Sequence, residues 1–265
     1  MERDIPLKTS IDVAHMRRSC RIVEDAFHYL RSFLRPGITT LEINRIAEQF
    51  IISKGASPVL RGYKGFPCAI CTSVNNVAAH GIPGDYVLEK GDIISIDITI
   101  VYEGWHGDAA WTFIIGSGSP DTERLIRAAW QANLSGIMAM KAGATIGDIG
   151  FEINKTANRH GCQVIQDYVG HGIGEDLHEE PRIPNVGQKG QGIRVVPGMV
   201  FTVEPIVTLG REDVSVLKDG WTIITADDSL SAQFEHTVAV FRDRIEILTL
   251  PSYNIDDYID QPPFF

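Results

Sequence analysis

The segment IISIDITIVYEGWHGDAAWTF, residues 93–113, carries two carboxylates, Asp97 and Asp108, inside apolar, β-branched and aromatic sequence. Such sequence fits a pleated, buried surface better than a helix. Residues 93–101 are therefore expected to form a strand and 105–115 its antiparallel return, with Glu103-Gly104 as a two-residue turn. With Tyr102 paired to Trp105, Asp97 faces Ala110, Asp108 faces Thr99, and the two acids share one face as diagonal neighbours. A three-residue loop would separate them. Two carboxylates desolvated side by side must protonate or find a cation, and a divalent metal satisfies both. A pair of aspartates on the wet face of a one-sided sheet accounts for the hairpin equally well, so the decision rests on further ligands.

Three further residues qualify. Glu204 in VFTVEP and Glu235 in SLSAQFEHTVAVF (229–241) each place an acid in strand-like apolar sequence, and His171 in YVGHGIG sits between glycines that let the backbone crowd close to another group. Taken singly, each also fits a salt-bridged acid or a turn-lining histidine. Together, two Asp, two Glu and one His form an oxygen-rich set suited to Mn²⁺, Fe²⁺, Co²⁺ or Zn²⁺ in a two-metal cluster rather than to a structural thiolate zinc. The four cysteines, at 20, 68, 71 and 162, include a CxxC, Cys68-Ala-Ile-Cys71, but no second pair or nearby histidine pair completes a zinc site there. They read as ordinary thiols of a reducing compartment.

These side chains are positioned by a repeated order of elements. Helices are expected from about Ile11 to Leu34, ended by Pro36-Gly37, and from Thr39 or Thr40 to Lys54, stopped at Gly55. A second pair opens at Ser119-Pro120-Asp121, running to about Lys141, and at Thr145, ending near His160-Gly161. The two halves share residues as well as order. Gly37-Ile38-Thr39-Thr40-Leu41-Glu42-Ile43 matches Gly143-Ala144-Thr145-Ile146-Gly147-Asp148-Ile149, each with the threonine and acid of a capping box. Gly91 to Asp97 (GDIISID) matches Gly198 to Glu204 (GMVFTVE) at nearly the same offset. The chain is thus expected to be α+β, with duplicated halves of roughly 11–115 and 119–241 about a pseudo-twofold axis, each contributing a carboxylate near that axis.

The formal charge of −10 argues against a protein that binds nucleic acid through phosphate contacts. The opening MERDIPLKTS lacks the apolar core of a signal peptide, and no later run approaches membrane-spanning length, so a cytoplasmic monomer with neither membrane nor specific nucleic-acid partner is expected. A single domain over 1–250 is expected to be followed by an acidic tail, PSYNIDDYIDQPPFF (251–265), solvated or loosely docked.

The set Asp97, Asp108, His171, Glu204 and Glu235, with the flanks NNVAAHGIPGD, GHGIGEDLHEEP, VFTVEP and SAQFEHTVAV, resembles type I methionine aminopeptidases over about residues 10–250. The resemblance implies the pita-bread (creatinase/aminopeptidase) fold, with duplicated halves around an antiparallel sheet. It also implies removal of the initiator methionine from peptides and nascent chains, favoured by a small second residue. It makes Asp97 a ligand of one metal, His171 and Glu204 ligands of the other, and Asp108 and Glu235 bridges. His80 and His178 become substrate-contacting histidines, and Glu204 the proton shuttle. Tyr63, Phe66, Cys71 and Trp221 become walls of a methionine pocket, where sulfur gains from aromatic contact. Phe66 and Leu177 stand where relatives often carry tyrosine and phenylalanine, so pocket shape and inhibitor response are expected to differ while methionine preference survives. Lacking the N-terminal extension of some relatives, the chain would have to make any ribosome contact with the catalytic domain itself.

Two other readings remain distinct. Xaa-Pro peptidases on the same scaffold usually carry an additional N-terminal domain, for which this chain leaves no room. Metal-free pita-bread proteins that act as binding modules have generally lost metal ligands, whereas all five positions and both histidines are present here.

Overall fold

The computed structural model describes residues 4–140 and 143–250; the 251–265 tail lies outside the described residues. Four helices begin at capping hydroxyls: α1 (Ser10–Arg31) after Thr9, α2 (Thr40–Ser53) after Thr39, α3 (Pro120–Met138) after Ser119, and α4 (Ile146–Arg159) after Thr145. Capping boxes close α1, α2 and α4 through Asp12, Glu42 and Asp148. The expected α1 is too long: it stops at Arg31, and the chain then turns toward Pro36-Gly37, where Gly37 adopts φ +93°.

A nine-stranded antiparallel sheet lies against the helices. Its strands run in the order Ser57–Pro58, Ile93–Tyr102, Trp105–Ile114, Glu235–Val240, Val200–Val203, Gly170–Gly172 and Glu179–Ile183; Cys71–Val74 also pairs with 93–102, and Ile245–Ile247 with 235–240. Alternation along 93–102 divides its side chains. Ile94, Ile96, Ile98 and Ile100 enter one core with Phe27 of α1, Ile43 of α2, Trp130 of α3 and Ile153 of α4, while Asp97 and Thr99 point to the other face. Phe27 stacks on Trp111 with ring centroids 4.5 Å apart. Each such fully buried large side chain contributes about 1.5–3 kcal/mol, enough in sum to hold the opposite, polar face in place.

The duplication is visible in small features. The isolated bridge Thr39–Val87 in the first half has its counterpart, Thr145–Arg194, in the second. The chain has the pita-bread fold, two α+β halves joined where strand 105–114 pairs with 235–240.

Two expected strands are each broken in two. The 229–241 segment forms Ser231–Gln233, which pairs with Ile206–Thr208 in a separate three-stranded sheet, and then Glu235–Val240 in the large sheet. The break falls at Phe234, whose ring turns into the helix core edge-on to Trp130, 5.2 Å between centroids. Strand 200–203 likewise ends before Glu204-Pro205, since proline has no N–H for the ladder, and resumes as 206–208 in the small sheet. Glu204 therefore stands just past a strand end rather than within a strand. The two breaks face each other: Asn133 of α3 donates its Nδ2 hydrogens to Val203 O (2.7 Å) and Phe234 O (2.9 Å).

Candidate active site

Strand register assembles the acids. Tyr102 pairs with Trp105, Asp97 with Ala110 and Thr99 with Asp108, as the two-residue turn requires. Ala110 in turn lies opposite Glu235, and Asp97 opposite Cys71. Directly opposed residues project to the same face, so Cys71, Asp97, Ala110 and Glu235 form one row, with Thr99 and Asp108 in the next. His171 arrives from strand 170–172, and its N–H donates to Thr202 Oγ1 (3.0 Å), whose hydroxyl donates to Glu204 Oε1 (2.7 Å). The flanking glycines are needed for this approach. A Cβ on Gly170 would lie 2.3 Å from Thr202 O, and one on Gly172 would lie 2.2 Å from Glu180 O.

Orientation is fixed atom by atom. Nδ1 of His171 lies 3.0 Å from Gly172 O, to which it can only donate, so Nε2 carries the lone pair. Nε2 is 3.8 Å from Asp108 Oδ2 and 3.7 Å from Glu204 Oε1. One ligand atom from each of Asp108, His171 and Glu235 lies within 4.8 Å of the other two. Thr99 Oγ1 donates to Asp108 Oδ1 (2.9 Å), and Thr237 Oγ1 to Asp108 O (2.7 Å).

The electrostatics call for a cation. Burial raises the Asp97 carboxyl to about 7, with the Cys71 thiol acting the other way, and Glu204 to about 8. Asp108 and Glu235 are pushed well above the ordinary range, first by burial and then by the neighbouring acids. Among the described residues no lysine or arginine pairs with any of the four, and Asp97 Oδ1 is buried without a hydrogen-bond partner. Burial takes the His171 imidazole down to about 4, so it is a neutral nitrogen donor. Four carboxylates, Asp108 and Glu235 buried and Asp97 and Glu204 partly so, with a neutral imidazole match the donor set of a divalent metal site.

The acids form the floor of a cleft of about 660 Å³. Tyr63, Phe66, Cys71, Leu177 and Trp221 line it, with His80 and His178 at its sides. Phe66 meets Trp221 edge-on at 5.2 Å between centroids, and His80 stands edge-on to Trp221 at 6.3 Å and to Tyr168 at 5.6 Å. His80 has φ +53°, a left-handed conformation unusual for a side-chain-bearing residue. His178 lies on His171, ring centroids 4.2 Å apart, and its Nδ1 is 2.7 Å from the Tyr63 hydroxyl. Burial, then His171 and Lys64, pulls the His178 pKa down to about 3, and burial alone lowers that of His80. Cys68 packs with Phe66 and Cys71; burial raises both thiols, which disfavours the thiolates that zinc would need.

The four acids and His171, His80, His178 and the pocket residues Tyr63, Phe66, Cys71 and Trp221 thus face one cleft. The supporting residues were not all foreseen. Thr202 was detectable as the residue two before Glu204, and Asn133 as an amide among the alanines, leucine and tryptophan of α3. Tyr168 and Gln233 also line the cleft, and no local pattern marks them.

The profile of Metallopeptidase family M24 matches residues 14–241, and the chain belongs to that family. Within it the similarity narrows to methionine aminopeptidases. That of Rickettsia prowazekii is 41% identical over 98% of this chain and 99% of its own length, and methionine aminopeptidase A of Synechocystis sp. is 45% identical over 93% and 98%. The crystal structure of the Rickettsia prowazekii methionine aminopeptidase superposes with a TM-score of 0.92 at 42% identity, covering 93% of this chain and all of that one. An Xaa-Pro dipeptidase from Bacillus anthracis shares the fold, with a TM-score of 0.74 at 22% identity, but this chain covers only 63% of it. Among the described residues no helix is long and apolar enough to cross a membrane.

Proposed function

We propose that the chain hydrolyses the first peptide bond of peptides and nascent proteins that begin with methionine, preferring a small second residue, at a centre of two divalent metals. The observation that carries this reading is the meeting of four carboxylates and a neutral imidazole with an aromatic and thiol-lined pocket in one cleft. Two divalent ions would balance the four carboxylates. Asp97 would hold one ion, His171 and Glu204 the other, with Asp108 and Glu235 shared. When bound, these ions supply Lewis acidity and a water acidified to near neutral pH. Manganese, iron, cobalt and zinc all suit such ligands.

The chain's own residues supply the rest. Tyr63, Phe66, Cys71 and Trp221 surround the thioether and leave the α-amino end toward the acids. His178 is neutral, and with the Tyr63 hydroxyl donating to Nδ1, its Nε2–H is free to donate to the scissile carbonyl oxygen as negative charge develops there. Glu204, ionised when the metals are bound, would take the water's proton and pass it to the departing amine. His80, partly buried and with its pKa lowered, contacts the scissile nitrogen and orients it.

The test is hydrolysis of a Met-Ala-initiated peptide by chelator-treated protein with Mn²⁺ or Co²⁺ restored, beside an Ala-Pro-initiated peptide. Metal-dependent release of methionine alone is expected. Cleavage of the Ala-Pro peptide alone would move the chain to the Xaa-Pro branch, and no turnover of either despite bound metal would overturn the enzymatic reading.

A further inference from the structure

We propose that Lys8 and Glu179 form a positioning pair for His178, resting on the reading of His178 as the group that faces the scissile carbonyl. Lys8 Nζ meets Glu179 Oε2 at 2.5 Å, with the two side chains 6% and 9% exposed. Glu179 directly follows His178, at the start of strand Glu179–Ile183. Lys8 belongs to the segment leading into α1, and its own backbone N–H is anchored on Gly198 O (2.7 Å). A buried charge pair therefore ties the residue beside His178 to the first helix, across most of the chain.

The loop between His171 and His178 is built around this pair. Gly174 presents a bare Cα to it: a Cβ there would lie 2.3 Å from Lys8 Cε and 2.6 Å from Glu179 Oε1. Gly174 O accepts from His106 N–H (2.9 Å), which fixes the loop base to strand 105–114. Asp176 N–H reaches Glu179 Oε1 at 3.4 Å. On its other side His178 has its Nδ1 2.7 Å from the Tyr63 hydroxyl and packs on the His171 ring. One contact sets the ring's tautomer, while the ion pair sets where the backbone carries the ring. A misplacement of about 1 Å in a group that contacts the reacting atoms costs on the order of 100-fold in rate, so a pair that acts only through its hold on His178 controls it.

The decisive experiment is a double-mutant cycle on the metal-loaded full chain with a Met-Ala-initiated peptide. The variant Lys8→Met/Glu179→Gln removes both charges together and so leaves no unpaired buried ion. We expect its kcat to fall about 10-fold with KM nearly unchanged, and the same double change to cost less than about 2-fold when introduced into His178→Ala. An equal fall in both backgrounds would reduce the pair to a structural tie and overturn the proposal, as would no fall in the parent. If His178→Ala alone leaves kcat unchanged, the reading of His178 fails, and the proposal falls with it through that separate measurement. Should the neutral pair unfold, Gly174→Ala, which keeps both charges and displaces them, must show the same coupling to His178.

Discussion

The two halves of the molecule reach the same floor by different routes. In the first, Asp97 and Asp108 come from one hairpin closed by Glu103-Gly104, and the turn alone sets their register. In the second, Glu204 and Glu235 stand at two points where the chain passes between the large sheet and a small one; Asn133 ties the two points together, and Thr202 holds Glu204. The segment between them, 205–234, carries Trp221 and Gln233 into the cleft wall. One half has a compact hairpin. The other is open, and its longer excursion shapes the pocket. Equivalence of charge therefore survives a difference in construction.

The strongest test of that equivalence is to remove one acid from each half. Asp108→Ala and Glu235→Ala are each expected to lower kcat/KM by about 1,000-fold or more, since metal polarisation of the substrate is worth several kcal/mol. A mild effect for either would show that one half dominates.

Chelation probes both halves together. Without metal, Asp97 and Glu204 keep their protons up to about 7 and 8, whereas in the unfolded chain they lose them near pH 4. Across that window the native state binds more protons than the unfolded state, so stability of the chelated protein falls as pH rises. The metal-loaded form holds the acids ionised and escapes this loss. The gap between chelated and loaded melting temperatures should accordingly widen from pH 5 to pH 8 in thermal denaturation, and a constant gap would contradict the buried-acid picture.

The supporting hydroxyls sharpen the contrast. Thr202→Val removes the contacts to both Glu204 and the His171 backbone, and should weaken metal binding about 100-fold in competition titrations. Thr99→Val removes one contact to Asp108 and should cost about 10-fold. Asn133→Leu touches only the second half. It leaves Val203 O and Phe234 O without their donor and should destabilise the protein by about 2 kcal/mol in urea unfolding. The smallest effects belong to the matched caps: Thr39→Ala and Thr145→Ala should each cost about 1 kcal/mol, equally if the halves are equivalent.

The first half was readable in the sequence because its information is local. Alternation and a two-residue turn suffice to place Asp97 opposite Ala110, and the capping boxes announce Thr39 and Thr145. The second half was readable only in part. Glu204 and Glu235 stood out as acids in apolar sequence, but the strand breaks beside them arise from Phe234 turning toward Trp130 and from Pro205, and only the first of these needs tertiary packing to be understood. The Lys8–Glu179 pair had no sequence signature at all, because a contact between distant positions leaves no periodicity.

The row of residues on the sheet also sets a schedule for synthesis. Asp97 and Glu235 are neighbours on that row, with only Ala110 between them, yet more than half the chain separates them in sequence. A growing polypeptide that has made the hairpin but not strand 235–240 holds an unfinished ligand set. The centre can therefore close only after strand 235–240 has been made and has slotted beside the first half. A chain that lacks that strand has no complete ligand set, so the centre forms in one step when 235–240 pairs with 105–114 rather than building up as the chain grows.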